Sequence, residues 1–245
     1  MRRRRQAAAA RGRGNMSIDG YLAGRGVARF PFLFVVTYGR SGSTLLQGLL
    51  NAIDGYCIRG ENKATLFHLY RASAATENAR RFHRGAEDPT SPWYGADRLD
   101  TEKIARRWLD GFLDEIIQPP SGTRCCGFKE IRHLVTDMSD EEFAGYLRFV
   151  ERGFPGAGFI FNVRSVEATG RSGWWPGFQS TRRTEILVHA RLRMARQAEA
   201  MPNGLLFSYD AWQADTDYPR RLFEFLGEPY DAALVRRVKA SRHSY

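Results

Sequence analysis

Residues 32–50 read FLFVVTYGRSGSTLLQGLL: an unbroken apolar run, a turn of small and polar residues, then leucines at helical spacing. Phe32 to Val36 hold no polar position, the pattern of a strand buried on both faces of a parallel sheet. From Thr44 to Ile53 the residues Leu45, Leu46, Leu49, Leu50 and Ile53 fall on one helical face. Strand, turn and helix in that order open a βαβ unit. The turn, Tyr38-Gly39-Arg40-Ser41-Gly42-Ser43-Thr44, gathers groups that bind anions. Gly39 and Gly42 let the backbone fold tightly enough for successive N–H groups to converge, and the helix start adds unpaired N–H groups and a positive dipole end. Ser41, Ser43 and Thr44 offer hydroxyl donors, and Arg40 offers a fixed charge that grips two oxygens at once. The loop predicts a phosphate cradle.

Outward from this unit, the chain repeats strand-like runs separated by helical stretches. Strands are expected at Tyr56 to Arg59, Arg124 to Lys129, Ala157 to Val163 and Gly204 to Ser208. Thr101 to Ile117 predicts a helix with Ile104, Trp108, Leu109, Phe112, Leu113 and Ile116 on one face, ended by Pro119-Pro120. Glu185 to Ala200 predicts another, facing the core through Leu187, Ala190, Met194 and Ala198. A last helix through Leu222, Phe223, Phe225 and Leu226 closes at Gly227. Arg80 to Arg98 and Arg171 to Arg183 lack periodicity and read as binding loops or lids. The expected fold is α/β: a P-loop-like three-layer sandwich with a central parallel sheet of about five strands between helices.

Charge divides the chain unevenly. Eight of the 37 basic residues and one of the 27 acidic ones precede residue 30, so residues 1–29 carry +7 and the remaining body only +3 of the net +10. That Arg/Ala/Gly segment reads as a disordered basic tail, 1–29, ahead of a single domain, 30–245. A nucleic-acid binder acting through the tail alone is the non-enzymatic alternative; the near-balanced body points to no specific nucleic acid. The apolar runs are far shorter than the ~20 residues of a membrane span. Cys57, Cys125 and Cys126 have no zinc spacing and read as thiols in a reducing, cytoplasmic compartment.

The identity of the phosphate turns on what the loop lacks. A nucleoside-triphosphate loop, GxxxxGK[ST], has a lysine directly before the helix; here Ser43 follows Gly42. The later strand FIFNV runs into Arg164 where a Mg²⁺-binding aspartate is expected in such a fold. Both points weigh against a P-loop phosphotransferase, the enzymatic alternative. Arg40-Ser41-Gly42-Ser43-Thr44 resembles the [KR]SG[ST][ST] loop of the sulfotransferases that use 3'-phosphoadenosine 5'-phosphosulfate (PAPS), with arginine first as in their tyrosylprotein, carbohydrate and many bacterial branches. Two further segments carry the resemblance. In FNVRSVEATGRSGWW, Arg164 ends a strand and Ser172 lies eight positions on, the family's spacing for holding the 3'-phosphate; LLFSYDAWQADTDYPRRLFEFLGEPY is similar to its late segment. The matches span residues 31 to 230 in order, with 64 to 123 matching loosely.

The resemblance implies an enzyme moving a sulfuryl group from PAPS to a hydroxyl by in-line, metal-independent transfer, with adenosine 3',5'-bisphosphate as product. It implies a donor site of Gly39, Arg40, Ser41, Gly42, Ser43, Thr44 and Leu45 with Arg164, Ser172 and Tyr209. Arg40 and Lys129 serve as catalytic cations on the leaving group and the sulfuryl group. For the base, cytosolic members place a histidine where this chain has Ile131, whereas another branch uses a glutamate after the second strand; CIRGENK puts Glu61 there, with Glu130 and His133 as alternatives. The acceptor stays open among a carbohydrate, a glycolipid, a small natural product and a protein tyrosine. Trp93, Tyr94, Trp174 and Trp175 are aromatic surfaces suited to stacking on it.

Overall fold

The structure is a computed structural model describing residues 15–82 and 84–241. In chain order the elements are α1 (Ile18–Gly24), β1 (Phe32–Val36), α2 (Ser43–Asn51), β2 (Tyr56–Arg59), α3 (Thr65–Arg80), α4 (Thr101–Phe112), β3 (Cys125–Glu130) and α5 (Asp140–Gly153). There follow β4 (Ala157–Val163), α6 (Val166–Gly170), α7 (Ser180–Ala200), β5 (Gly204–Ser208), α8 (Tyr209–Ala214), α9 (Arg220–Leu226) and α10 (Ala232–Ala240). The five strands form one parallel sheet in the order β2-β3-β1-β4-β5. The anticipated α/β three-layer architecture is the observed one.

The layering follows from alternation along β1. Phe32, Phe34 and Val36 enter one apolar cluster, with side chains from α1, α3, α4, α5 and α7. Leu33 and Val35 enter another, against α2 and α8 to α10. Because the central strand is covered on both faces, all five of its residues are buried, as its unbroken hydrophobicity requires. Phe34 packs on Phe128, Phe154 and Phe159 at centroid distances of 5.2, 5.3 and 5.7 Å, tying three strands and the end of α5 together. Strand order reverses beside β1: the chain builds leftward through β2 and β3, then crosses to β4. A crevice at the carboxyl ends of the strands is expected at that reversal, and the Tyr38–Thr44 loop leaves β1 there.

Two expectations are revised, and two helices appear that were not expected. Residues 1–14 lie outside the described residues, but from Ser17 onward the expected tail belongs to the folded body. Ser17 caps α1, Ile18 is fully buried, and Ile18 N–H donates to Asp110 at 2.8 Å. The helix expected to reach Ile117 turns into a π-helical turn at Leu113–Ile117, which rotates Ile116 out to solvent and Ile117 into the core. Arg59 donates to the Ile117 and Gln118 carbonyls at 2.7 and 2.8 Å, capping that end. The stretch from Arg80 is preceded by a helix, α3, that polar residues on every side concealed. A second unanticipated helix, α5, begins at a capping box, Ser139 with Glu142.

Candidate active site

The loop after β1 is fixed from behind. Side chains take three successive carbonyls: Trp175 Nε1 donates to Gly39 (3.1 Å), Arg164 Nη1 to Arg40 (3.2 Å) and Asn162 Nδ2 to Ser41 (3.0 Å). The Tyr38 hydroxyl adds a latch, donating to the Arg164 carbonyl (2.9 Å) and accepting from its N–H (3.0 Å). With the carbonyls held, among the described residues nothing accepts from the amides of Arg40 to Thr44. Gly42, the N-cap of α2, sits at φ 80°, a left-handed conformation that glycine takes without strain. These open amides at a helix start are what a bound anion would satisfy.

Two glycines are set by crowding. A Cβ on Gly42 would lie 2.0 Å from the Tyr209 ring, and one on Gly39 2.3 Å from Trp174. Gly42→Ala is expected to cost about 2–3 kcal/mol, from the ring clash and the left-handed backbone together. Urea unfolding of the variant checks this; a loss below about 0.5 kcal/mol would show that the ring moves freely.

A cleft of about 410 Å³ opens in front of the loop. Of the anticipated residues, Arg40, Gly42, Ser43, Thr44, Leu45, Glu61, Lys129, Arg164 and Tyr209 line it. Three others do not. Gly39 lies beneath Trp174. Ser172 stands behind Arg40, its Oγ accepting from Arg40 Nε at 3.0 Å. Ser41 is wholly buried: its Oγ bonds to Thr37 Oγ1 at 2.7 Å and accepts from Asn162 Nδ2 at 3.1 Å. Its expected role as a hydroxyl donor therefore fails, because that hydroxyl stitches the loop to β4.

Strand register places the next pair. Lys129 lies opposite Val35, one residue before the end of β3, on the face that carries Cys125 toward α2; Glu130 points to the opposite face with Phe128. The Lys129 side chain is only 5% exposed, so its ammonium needs a partner. Glu61 supplies it: Nζ donates to Oε1 at 2.5 Å, while the carboxylate stays 42% exposed to the cleft. Arg164 extends over the Tyr209 ring at 4.9 Å, and its Nε is buried without a partner.

The alternative bases are placed elsewhere. Glu130 Oε2 accepts from the Asn62 and Ala64 amides (3.2 and 2.7 Å), and Oε1 from those of Ile131 and Arg132 (2.8 and 3.2 Å). His133 is buried against the Thr37 backbone, and burial pushes its pKa below the ordinary imidazole value. Neither borders the cleft. Trp174 lines it and Trp175 is core, whereas Trp93 stacks on Phe82 at 4.4 Å away from the lining. Sequence reading missed Lys239 and Gln213. Lys239 Nζ, at the end of α10, donates to the Trp212 and Gln213 carbonyls at 2.9 and 3.2 Å. A basic last turn was the only sign of it. Among the described residues, four cations, Arg40, Lys129, Arg164 and Lys239, thus face one carboxylate, Glu61.

No protein-family model and no curated protein sequence match the chain. Among solved structures, one similar chain is sulfotransferase STF9 from Mycobacterium avium, 15% identical with a TM-score of 0.44, the match covering 87% of this chain and 68% of that one. Another is retinol dehydratase in a complex with retinol and PAP, 16% identical with a TM-score of 0.39, covering 86% and 64% respectively. Among the described residues no helix is long and apolar enough to cross a membrane.

Proposed function

We propose that this chain is a PAPS-dependent sulfotransferase acting on an acceptor hydroxyl. The observation that carries the reading is the meeting of an open-amide loop with the Lys129–Glu61 pair in a single cation-rich cleft. The residues fit the donor: the amides of Arg40 to Thr44 are open at the helix start, and the buried, unpartnered Arg164 Nε is a donor in want of an acceptor. The amides of Arg40 to Thr44, with the Ser43 and Thr44 hydroxyls, would hold the 5'-phosphate. Arg164 would hold the 3'-phosphate, Ser172 would position Arg40 from behind, and Tyr209 would flank the nucleotide. Bound there, PAPS supplies an activated sulfuryl group whose bond to phosphate oxygen breaks as the acceptor oxygen bonds to sulfur.

The chain's own groups then have defined tasks. Glu61 takes the proton from the acceptor hydroxyl. Lys129, beside it, stabilises negative charge on the transferring group, and Arg40 does so on the departing phosphate oxygen. Trp174, half exposed at the rim, offers an apolar face to the acceptor. A carbohydrate, glycolipid or small natural product is the acceptor class this open, aromatic rim favours, and the three free thiols accord with a cytoplasmic setting.

Thermal unfolding with ligands tests the assignment. At a concentration near 100 times Kd, adenosine 3',5'-bisphosphate is expected to stabilise the protein by about 2.7 kcal/mol, a rise of roughly 5–10 °C in Tm. ATP with Mg²⁺ is expected to give a smaller shift, and an oligonucleotide none. A larger shift with ATP–Mg²⁺ would make the chain a phosphotransferase; a shift with the oligonucleotide alone would leave only the basic segment as its binding site.

A further inference from the structure

A second cleft, of about 470 Å³, is walled by α3 and by two loops that each also contribute one residue to the first. Glu61 lines the first and Lys63, two residues on, the second; Ile131 lines the first and Arg132 the second. The second cleft is cationic. Lys63, Arg71 and Arg132 line it with His68 and Phe67, against one acid, Asp137, whose Oδ2 already accepts from the Leu134 amide at 3.0 Å. Arg71 is partly matched by Glu142 at 3.3 Å, but Lys63 and Arg132 have no carboxylate partner among the described residues.

The backbone presenting these cations is held rather than loose. Lys63 and Ala64 are consecutive non-glycine residues at φ 58°, a conformation that persists only where surroundings impose it. Glu130 imposes it, its four accepted bonds joining the loop at Asn62–Ala64 to that at Ile131–Arg132. Arg132 is fixed further by an antiparallel bridge to Tyr38, the residue that opens the donor loop. Strained backbone, two unmatched cations and a shared wall with Glu61 coincide at one place.

We infer that this cleft holds an acidic group, a carboxylate or sulfate, on the acceptor whose hydroxyl is presented to Glu61. The inference rests on the sulfotransferase reading for the word acceptor; the anion site itself does not. Lys63 and Arg132 would take the acidic group by charge-assisted hydrogen bonds. The acceptor would then straddle the two loops, anchored at its acid and reacting at its hydroxyl.

The test uses the full chain saturated with adenosine 3',5'-bisphosphate, so that the first cleft's phosphate groups are occupied, and titrates inorganic sulfate while amide NMR shifts are followed. Saturable shifts are expected in residues 60–68 and 131–137. A Lys63→Ala, Arg132→Ala variant should bind sulfate at least about tenfold more weakly, since each charge-assisted bond is worth about a factor of ten or more. Its stabilisation by the bisphosphate should persist, which shows that the fold is intact. In turnover with PAPS, methyl glucuronide and 4-hydroxyphenylacetate should outpace methyl glucoside and 4-hydroxyphenylacetamide, and the double variant should lose that preference. Shifts spread over the surface, unchanged sulfate affinity in the variant, or equal rates within each pair would overturn the inference. A failure of the bisphosphate to bind would instead remove the donor assignment, and sulfate titration without it would still report on this cleft.

Discussion

Glu61→Gln is expected to lower turnover by roughly 10²–10⁴-fold, the range for loss of a positioned general base. The substitution is nearly isosteric. Its amide oxygen can still accept from Lys129 Nζ, which the native carboxylate meets at 2.5 Å, so the ammonium keeps a partner and the loop its shape. What is lost is the ability to take a proton. Binding of adenosine 3',5'-bisphosphate should change little, because its proposed ligands lie on the β1–α2 loop and at Arg164. The paired measurement is therefore single-turnover sulfuryl transfer against bisphosphate-induced thermal stabilisation. A rate within about tenfold of the native enzyme would move the base elsewhere. A collapse of stabilisation would show that Glu61 serves the donor site instead. Glu61→Ala is the instructive contrast: it leaves a 5%-exposed ammonium without its counter-charge and should lose stability as well as rate.

What the sequence disclosed was what is encoded locally. β1, β2, β4 and β5 begin and end where apolar runs do, because each run is a strand covered on both faces or ended by a polar turn. The strand–turn–helix around the β1–α2 loop was legible because its residues are contiguous. Lys129, near the end of a strand, and Glu61, just after one, were each singled out through the resemblance, but their contact was not legible: it depends on β2 and β3 pairing in register, Tyr56 with Cys125, a fact of tertiary structure. Ser41 misled for the same reason. Its hydroxyl looks like a donor in sequence, and only β4's arrival beside β1 brings Asn162 to consume it. Lys239 lies 31 residues beyond Ser208, the last residue of β5, and past the last segment that carried the resemblance; it enters the cleft only because α10 packs on the α2 side of the sheet. By contrast, α5 went unread although Ser139-Asp140-Glu141-Glu142 carries a local signal for its start, the capping box that the structure shows.

Glu130 supplies the largest expected effect on stability. Its carboxylate is 1% exposed and accepts four backbone N–H groups, two on each of the loops that carry Glu61 and Ile131. Glu130→Ala removes every acceptor at once and leaves four amides around a void. Water entering that space would restore some of these bonds, so the loss should be less than the sum of four charge-assisted bonds, about 3–5 kcal/mol. For a domain of this size that is a fall of roughly 10 °C in Tm. Glu130→Gln is expected to fall between, because one oxygen remains as an acceptor while its NH₂ faces amides that are themselves donors. Differential scanning calorimetry of the two variants orders them, and an alanine variant within about 2 °C of native would show that the loops hold themselves. The catalytic consequence separates this residue from a mere packing group. Since Glu130 fixes the loop that aims Glu61, kcat should fall in both variants even at temperatures where they remain folded, with bisphosphate binding retained. Activity that followed the folded fraction alone would confine Glu130 to stability, and the position of Glu61 would then be owed to Lys129.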